Sequence, residues 1–216
     1  MKKYNVILFD LDGTITNPGT GITNSVAFAL NRFGITINDR AKLYKFIGPP
    51  LIDSFKEYYG FDNQKARTAV EYYREYYSKK GIFENELYNG IKQLLTDLKS
   101  LGKTVGLATS KPDLFAVQIL KYFEIDSLFD FVSAATIDET RTKKEDIISF
   151  ALETNNLSCK QNIVMVGDRR YDISGAEKNG IDSIGVLFGF GSRHELEAAG
   201  ATHVAASVEE LAAILL

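Results

Sequence analysis

Five short, almost wholly apolar runs recur along the chain, at Tyr4 to Asp10, Thr104 to Thr109, Phe131 to Ala135, Asn162 to Gly167 and Ser183 to Leu187. A run such as Val6-Ile7-Leu8-Phe9 has no polar face, so it suits a strand covered on both sides. Each run is parted from the next by a stretch with helical patterning. That alternation predicts an α/β fold, a parallel Rossmann-like sheet with helices on both faces. Helix ends support the reading: Asn89 precedes Gly90 to Leu101 with Gly102 as a stop, Asp113 opens Leu114 to Phe123 after Pro112, and Ser207 with Glu210 forms a capping-box pattern ahead of Leu211.

The first interval breaks the rhythm. About ninety residues separate the first two apolar runs, where a crossover helix needs only a few dozen. The surplus carries helical spacing: Val26, Leu30 and Phe33; Leu43, Phe46 and Ile47; Leu51 and Phe55; then Ala66 to Tyr77. The expected organisation is an α/β core of residues 1–14 and 83–216 with a small all-helical domain, 15–82, inserted after the first strand. Six of the eleven tyrosines lie between Tyr58 and Tyr77, and Tyr72, Tyr73, Tyr76 and Tyr77 share one side of a helix. Packing within the insertion is the first reading of these rings and a surface for stacking substrate the second. Gly48-Pro49-Pro50 is a stiff break between two of its helices, either a plain turn or a loop that meets substrate.

Composition removes several functions. A net charge of −3 gives no broad basic face for a nucleic acid polymer. One cysteine, Cys159, allows no internal disulfide and no thiolate metal cluster, and two histidines, His194 and His203, are poor material for a zinc site or a His-dependent triad. No apolar run approaches the roughly 20 residues that span a bilayer, so no membrane partner is expected. The basic start Met1-Lys2-Lys3 is followed by only about four apolar residues, too few for a secretory signal, and the expected compartment is the cytoplasm.

Chemistry concentrates at strand ends. Asp10-Leu11-Asp12-Gly13-Thr14 closes the first run, placing two carboxylates at the sheet edge where open α/β proteins bind ligands. Asp and Gly also form ordinary turns. Yet Thr109-Ser110-Lys111 follows the second run and Gly167-Asp168-Arg169-Arg170-Tyr171-Asp172 the fourth, and the ends of parallel strands converge on one rim. Two carboxylates beside a phosphate repel it unless a cation or proton intervenes, and a hard ion such as Mg²⁺ suits oxygen ligands.

On these residues the chain resembles the haloacid dehalogenase superfamily, in the branch with a helical cap inserted after the first motif, and within it the phosphoglycolate phosphatase and 5'-nucleotidase-like group. The resemblance covers essentially the whole chain and implies a Mg²⁺-dependent phosphomonoesterase. It makes Asp10 the nucleophile that becomes an aspartyl phosphate, and Asp12 the acid and base. Gly13, Thr109 and the Ser110 N–H would bind phosphate, with Thr109 also readable as a helix cap. A lysine is expected to bridge nucleophile and phosphate; Lys143 and Lys144 both compete, and Lys144 fits better by its distance from Ile147 and Ile148. Asp10, Asp168 and the backbone carbonyl of Asp12 would hold magnesium. Asp172 would orient metal-bound water or the lysine from outside that ring, or be a surface acid at a helix start. Arg169 and Arg170 could attract phosphate, with surface ion pairing the plainer reading.

The expected partner is a small phosphorylated metabolite, and the chain is expected as a monomer or homodimer. Ser110 and Glu145 stand where many phosphoglycolate phosphatases carry asparagine and proline, which weakens phosphoglycolate as the substrate. A dehalogenase has no use for an acid at Asp12. A phosphomutase or pyrophosphatase would use the same residues. A phospho-aspartate receiver or binding module also clusters acids, threonine and lysine, yet lacks an insertion after the first strand. Gly185 to Gly191 reads as a flexible rim loop without a dinucleotide fingerprint.

Overall fold

The computed structural model describes residues 4–137 and 140–216; the basic start Met1 to Lys3 and the pair Asp138–Glu139 lie outside the described residues. The apolar runs form parallel strands β1 (Val6–Phe9), β4 (Thr104–Pro112), β5 (Phe131–Ala135), β6 (Ile163–Gly167) and β7 (Asp182–Val186). A sixth, β8 (His203–Ala205), joins the edge, giving the order β5-β4-β1-β6-β7-β8. β8 is only three residues long and begins at an exposed histidine, so no apolar run announces it. Strand β1 is central: Phe9 is level with Leu107 on one side and Val166 on the other.

Helices cover both faces, as the alternation predicts. These are α4 (Ile91–Ser100), α5 (Asp113–Tyr122), α6 (Lys144–Thr154), α7 (Arg170–Asn179), α8 (Arg193–Ala198) and α9 (Val208–Leu215). On one face Leu8, Ala108 and Met165 from three neighbouring strands bury against Ile147 and Ile148 of α6 and Ala176 of α7. Side chains alternate along a strand, so Ile7 and Phe9, both fully buried, serve the opposite face. Two helix starts differ from expectation. Gly90, not Asn89, caps α4, with φ 85° and no side-chain cap. At α9 the Ser207 hydroxyl accepts the Glu210 N–H, but the Glu210 carboxylate reaches the Ala206 N–H, one residue before the position that a capping box uses.

The chain forms two compact units, one of residues 4–16 and 87–216 and the other of residues 17–86. The second unit holds α1 (Gly19–Asn31), a 3-10 segment (Arg40–Phe46), α2 (Leu51–Tyr59), α3 (Asn63–Tyr76) and a π turn (Tyr77–Gly81). The insertion is not wholly helical, because its ends fall in a two-stranded ribbon of β2 (Thr16–Asn17) and β3 (Glu86–Leu87). The tyrosines pack inside this unit: Tyr73 stacks on Tyr77 at 5.2 Å, Tyr72 meets Phe33 at 5.7 Å, and the Tyr76 hydroxyl donates to Glu84 at 2.9 Å. Their first reading, packing, accounts for these contacts. Among the described residues no helix is long and apolar enough to cross a membrane.

Candidate active site

Asp10 follows β1 directly, and its N–H still donates to Val166 of β6 at 2.9 Å. The chain then turns tightly, with the N–H groups of Thr14, Ile15 and Thr16 all directed at the Leu11 carbonyl. Gly13 makes the turn with φ 88°, and a Cβ there would run into the Asp168 carboxylate. Only glycine meets both demands. The same turn therefore sets Asp10 and Asp12 at the sheet edge and lets the Asp168 carboxylate, just past β6, approach the turn.

Lys144 opens α6 and is 5% exposed. Its ammonium lies 2.8 Å from Asp10 Oδ1 and 2.9 Å from Asp172 Oδ1, and donates to the Ala108 carbonyl at 3.0 Å. Three donors on one nitrogen thus meet three acceptors. Lys143, its competitor, is exposed and stands at the helix cap position. Asp172, within the first turn of α7, is buried rather than at the surface, and its Oδ2 accepts the Arg169 N–H at 3.1 Å. Asp168 is fully buried: Oδ2 accepts the Phe190 N–H at 2.7 Å, while Oδ1 is left without a hydrogen-bond partner among the described residues.

Carboxylate oxygens of Asp10, Asp168 and Asp172 lie within 4.8 Å of one another. The Asp12 carboxylate is not in that group. Its Oδ2 lies instead 2.5 Å from Lys111 Nζ, and its Oδ1 is buried without a partner among the described residues. Thr109 is buried, and its hydroxyl accepts the Lys111 N–H at 3.2 Å; it does not cap α5, whose cap is Pro112. Ser110 follows, half-buried. Arg169 pairs with Glu195 at 2.9 Å, the ion pairing of its plainer reading, whereas Arg170 lies over the ring of Tyr171.

Charge is crowded here, and the titration tendencies reflect it. Burial pushes Asp168 well above the usual carboxylate range, with the charge of Asp172 adding to it. Burial also raises Asp12, and Lys111 offsets only part of that. Lys144 is pulled down by burial but pushed further up by Asp10 and Asp172, so it stays charged. Four carboxylates against two ammonium groups, an orphaned oxygen on Asp168 and an all-oxygen donor set fit a hard divalent cation.

Three participants escaped sequence reasoning. Lys111 lay in plain view in Thr109-Ser110-Lys111 but had no role until its reach to Asp12 was known. The Phe190 N–H lies in a segment read as a flexible rim; in fact Gly189 packs so closely that a Cβ would strike the Gly13 carbonyl and the Asp168 side chain. Tyr88 has no sequence signal. Its ring meets Phe188 at 5.0 Å, and its phenol is raised by burial and then by the charges of Asp168 and Asp12.

The family model for haloacid dehalogenase-like hydrolases matches residues 7–186. A 5'-nucleotidase of Pseudomonas aeruginosa is 45% identical over 213 residues, covering 99% of this chain and 96% of the relative. Tyrosine-protein kinase PtkA of Mycobacterium tuberculosis is 34% identical, covering 97% of this chain and 72% of the kinase. A crystal structure described as a predicted phosphatase from Clostridium acetobutylicum superimposes with a TM-score of 0.95 at 47% identity, covering 98% of each chain. With most of its length matched by the family model and its whole sheet shared with such structures, the chain belongs to the haloacid dehalogenase-like hydrolase family.

Proposed function

We propose that the chain is a Mg²⁺-dependent phosphomonoesterase that hydrolyses a small phosphorylated metabolite, of nucleoside monophosphate or phosphoglycolate type, through an aspartyl phosphate on Asp10. It is a phosphoric monoester hydrolase, in keeping with the 5'-nucleotidase and the predicted phosphatase that it resembles over nearly its full length. The observation that carries the reading is the buried Lys144 ammonium beside Asp10 and Asp172, next to the half-satisfied carboxylate of Asp168. A lysine so held stabilises negative charge both on the nucleophile and on the transferring phosphoryl group.

On this reading Asp10 attacks phosphorus while the Asp12 carboxyl gives its proton to the departing oxygen; Asp12 then takes a proton from the water that opens the acyl phosphate. Thr109 and the Ser110 N–H hold phosphate oxygens and the Gly13 turn leaves room for them. Magnesium held by Asp10, Asp168 and the Asp12 carbonyl would neutralise charge between nucleophile and phosphate. Asp172 keeps Lys144 in place. Residues 17–86 are the cap that selects the substrate.

Phosphate release from p-nitrophenyl phosphate, phosphoglycolate, nucleoside monophosphates, sugar phosphates and pyrophosphate, with magnesium or with chelator, tests the reading beside Asp10→Asn. Release that needs magnesium and disappears in the variant supports it. A folded protein that releases none, or that moves the phosphoryl group to a second sugar position, would overturn it.

A further inference from the structure

Lys111 has no assigned part, yet it is one of the most enclosed cations of the molecule, its side chain 6% exposed, and its ammonium meets Asp12 at 2.5 Å. Burying a lysine is costly unless it is paired, so the pairing needs an explanation. Strand β4 supplies the geometry. Its pairing with β5 becomes irregular between Thr109 and Pro112, and the Lys111 N–H is taken by the Thr109 hydroxyl, which folds the segment back over the sheet edge. The lysine thereby reaches a carboxylate ninety-nine residues away in sequence.

The two oxygens of Asp12 then differ. Oδ2 is engaged by a cation; Oδ1 is buried with no partner among the described residues, an arrangement that costs stability and persists where a ligand group completes it. We infer that Lys111 is a positioning residue for proton transfer: by holding Oδ2 it fixes the Asp12 carboxyl so that Oδ1 is the atom that meets the leaving-group oxygen. The inference rests on the reading of Asp12 as the acid. In the step itself the Oδ1–H bond breaks as the leaving oxygen gains the proton, the P–O bond to that oxygen breaks, and the bond from Asp10 to phosphorus forms. Without Lys111 the carboxyl is free to rotate and the proton is no longer aimed.

The test uses leaving groups without charge, so that lost attraction for substrate is not mistaken for lost proton transfer. Substituted phenyl phosphates from p-nitrophenyl to phenyl, with ethyl phosphate, are compared by kcat/KM in wild type, Lys111→Met and Lys111→Arg. This parameter covers events up to departure of the leaving group. Nitrophenolate departs without a proton, whereas ethoxide cannot. Lys111→Met should lower kcat/KM for ethyl phosphate at least tenfold more than for p-nitrophenyl phosphate, giving a steeper dependence on leaving-group basicity, and Lys111→Arg should recover most of the difference. An equal loss across the series would overturn the inference while leaving the proposed function intact. A wild-type protein inactive on every ester would overturn both. Should Lys111→Met not fold, Lys111→Gln carries the same comparison.

Discussion

Lys144 Nζ and Asp10 Oδ1 lie 2.8 Å apart with both side chains more than nine-tenths buried. A pair so withdrawn is held by its neighbours as much as by itself. Breaking a buried pair from one side leaves an uncompensated charge, at a cost of about 3–5 kcal/mol. Lys144→Met should therefore lower the unfolding midpoint and reduce phosphate release by about a hundredfold or more. Adding Asp172→Asn, which removes one of the stranded carboxylates, should recover stability without recovering activity. Thermal unfolding and phosphate release on the two variants check both halves. A double variant that regains turnover would show that the lysine acts on the fold alone.

The orphaned Oδ1 of Asp168 gives a second expectation. A ligand that binds only the native state raises its stability, by about 2.7 kcal/mol at a hundredfold excess over Kd. Magnesium should raise the unfolding midpoint of the wild type, and Asp168→Asn should weaken binding at least tenfold in a calorimetric titration. An unchanged titration would remove Asp168 from the ligand set.

Close approach at Gly189 separates two kinds of glycine. A Cβ there strikes the Gly13 carbonyl and Asp168, whereas at Gly34, with φ 73°, a Cβ meets none of the described residues within 4 Å. Gly34→Ala should cost about 1 kcal/mol of backbone strain and leave kcat/KM alone. Gly189→Ala should cost about 1–3 kcal/mol by overpacking and depress activity as well, because the displaced group is Asp168. Urea unfolding with parallel rate measurements distinguishes them, and equal effects of the two on rate would count against the close-packed loop.

Tyr4 and Asp182 provide a pH handle outside the site. The phenol donates to Asp182 Oδ2 at 2.6 Å, and burial, then this bond and the carboxylate's charge, raise its proton affinity. A raised value means that the folded state holds the proton where the unfolded chain has lost it. The contribution is thus complete below the unfolded value of about 10 and declines as pH climbs above it. Tyr4→Phe should cost about 1 kcal/mol at neutral pH. The gap in urea midpoint between wild type and Tyr4→Phe should narrow between pH 9 and pH 11, and a constant gap would contradict the assignment.

The parts of the molecule that could be read in advance are those governed by local pattern. Val6 to Phe9 and Ile163 to Gly167 are apolar on both sides and so announce buried parallel strands; Asp10 and Asp168 follow them directly, and the rim rule then brings the two together. Lys144 is favoured over Lys143 by its distance from Ile147 and Ile148, and of the two it is the buried one. What remained hidden depends on tertiary detail. The pairing of Lys111 with Asp12 needs the irregular end of β4, the Phe190 N–H needs the path of a loop whose glycines resemble those of any mobile segment, and β8 forms because β7 offers it an edge. Tyr88 meets Phe188, a partner one hundred residues away that no neighbour in sequence announces.

The place of β1 in the middle of the sheet has one more consequence. Hydrogen-bonded to β4 on one flank and β6 on the other, it has no free edge, so neither it nor Asp10 can open without parting the sheet. Local fluctuations in proteins are drawn from weakly held margins such as β8, while central strands exchange their amide hydrogens only when the whole domain unravels. The nucleophile is therefore tied to the last element to let go, and heat or denaturant should extinguish turnover in the core and its cohesion as a single event.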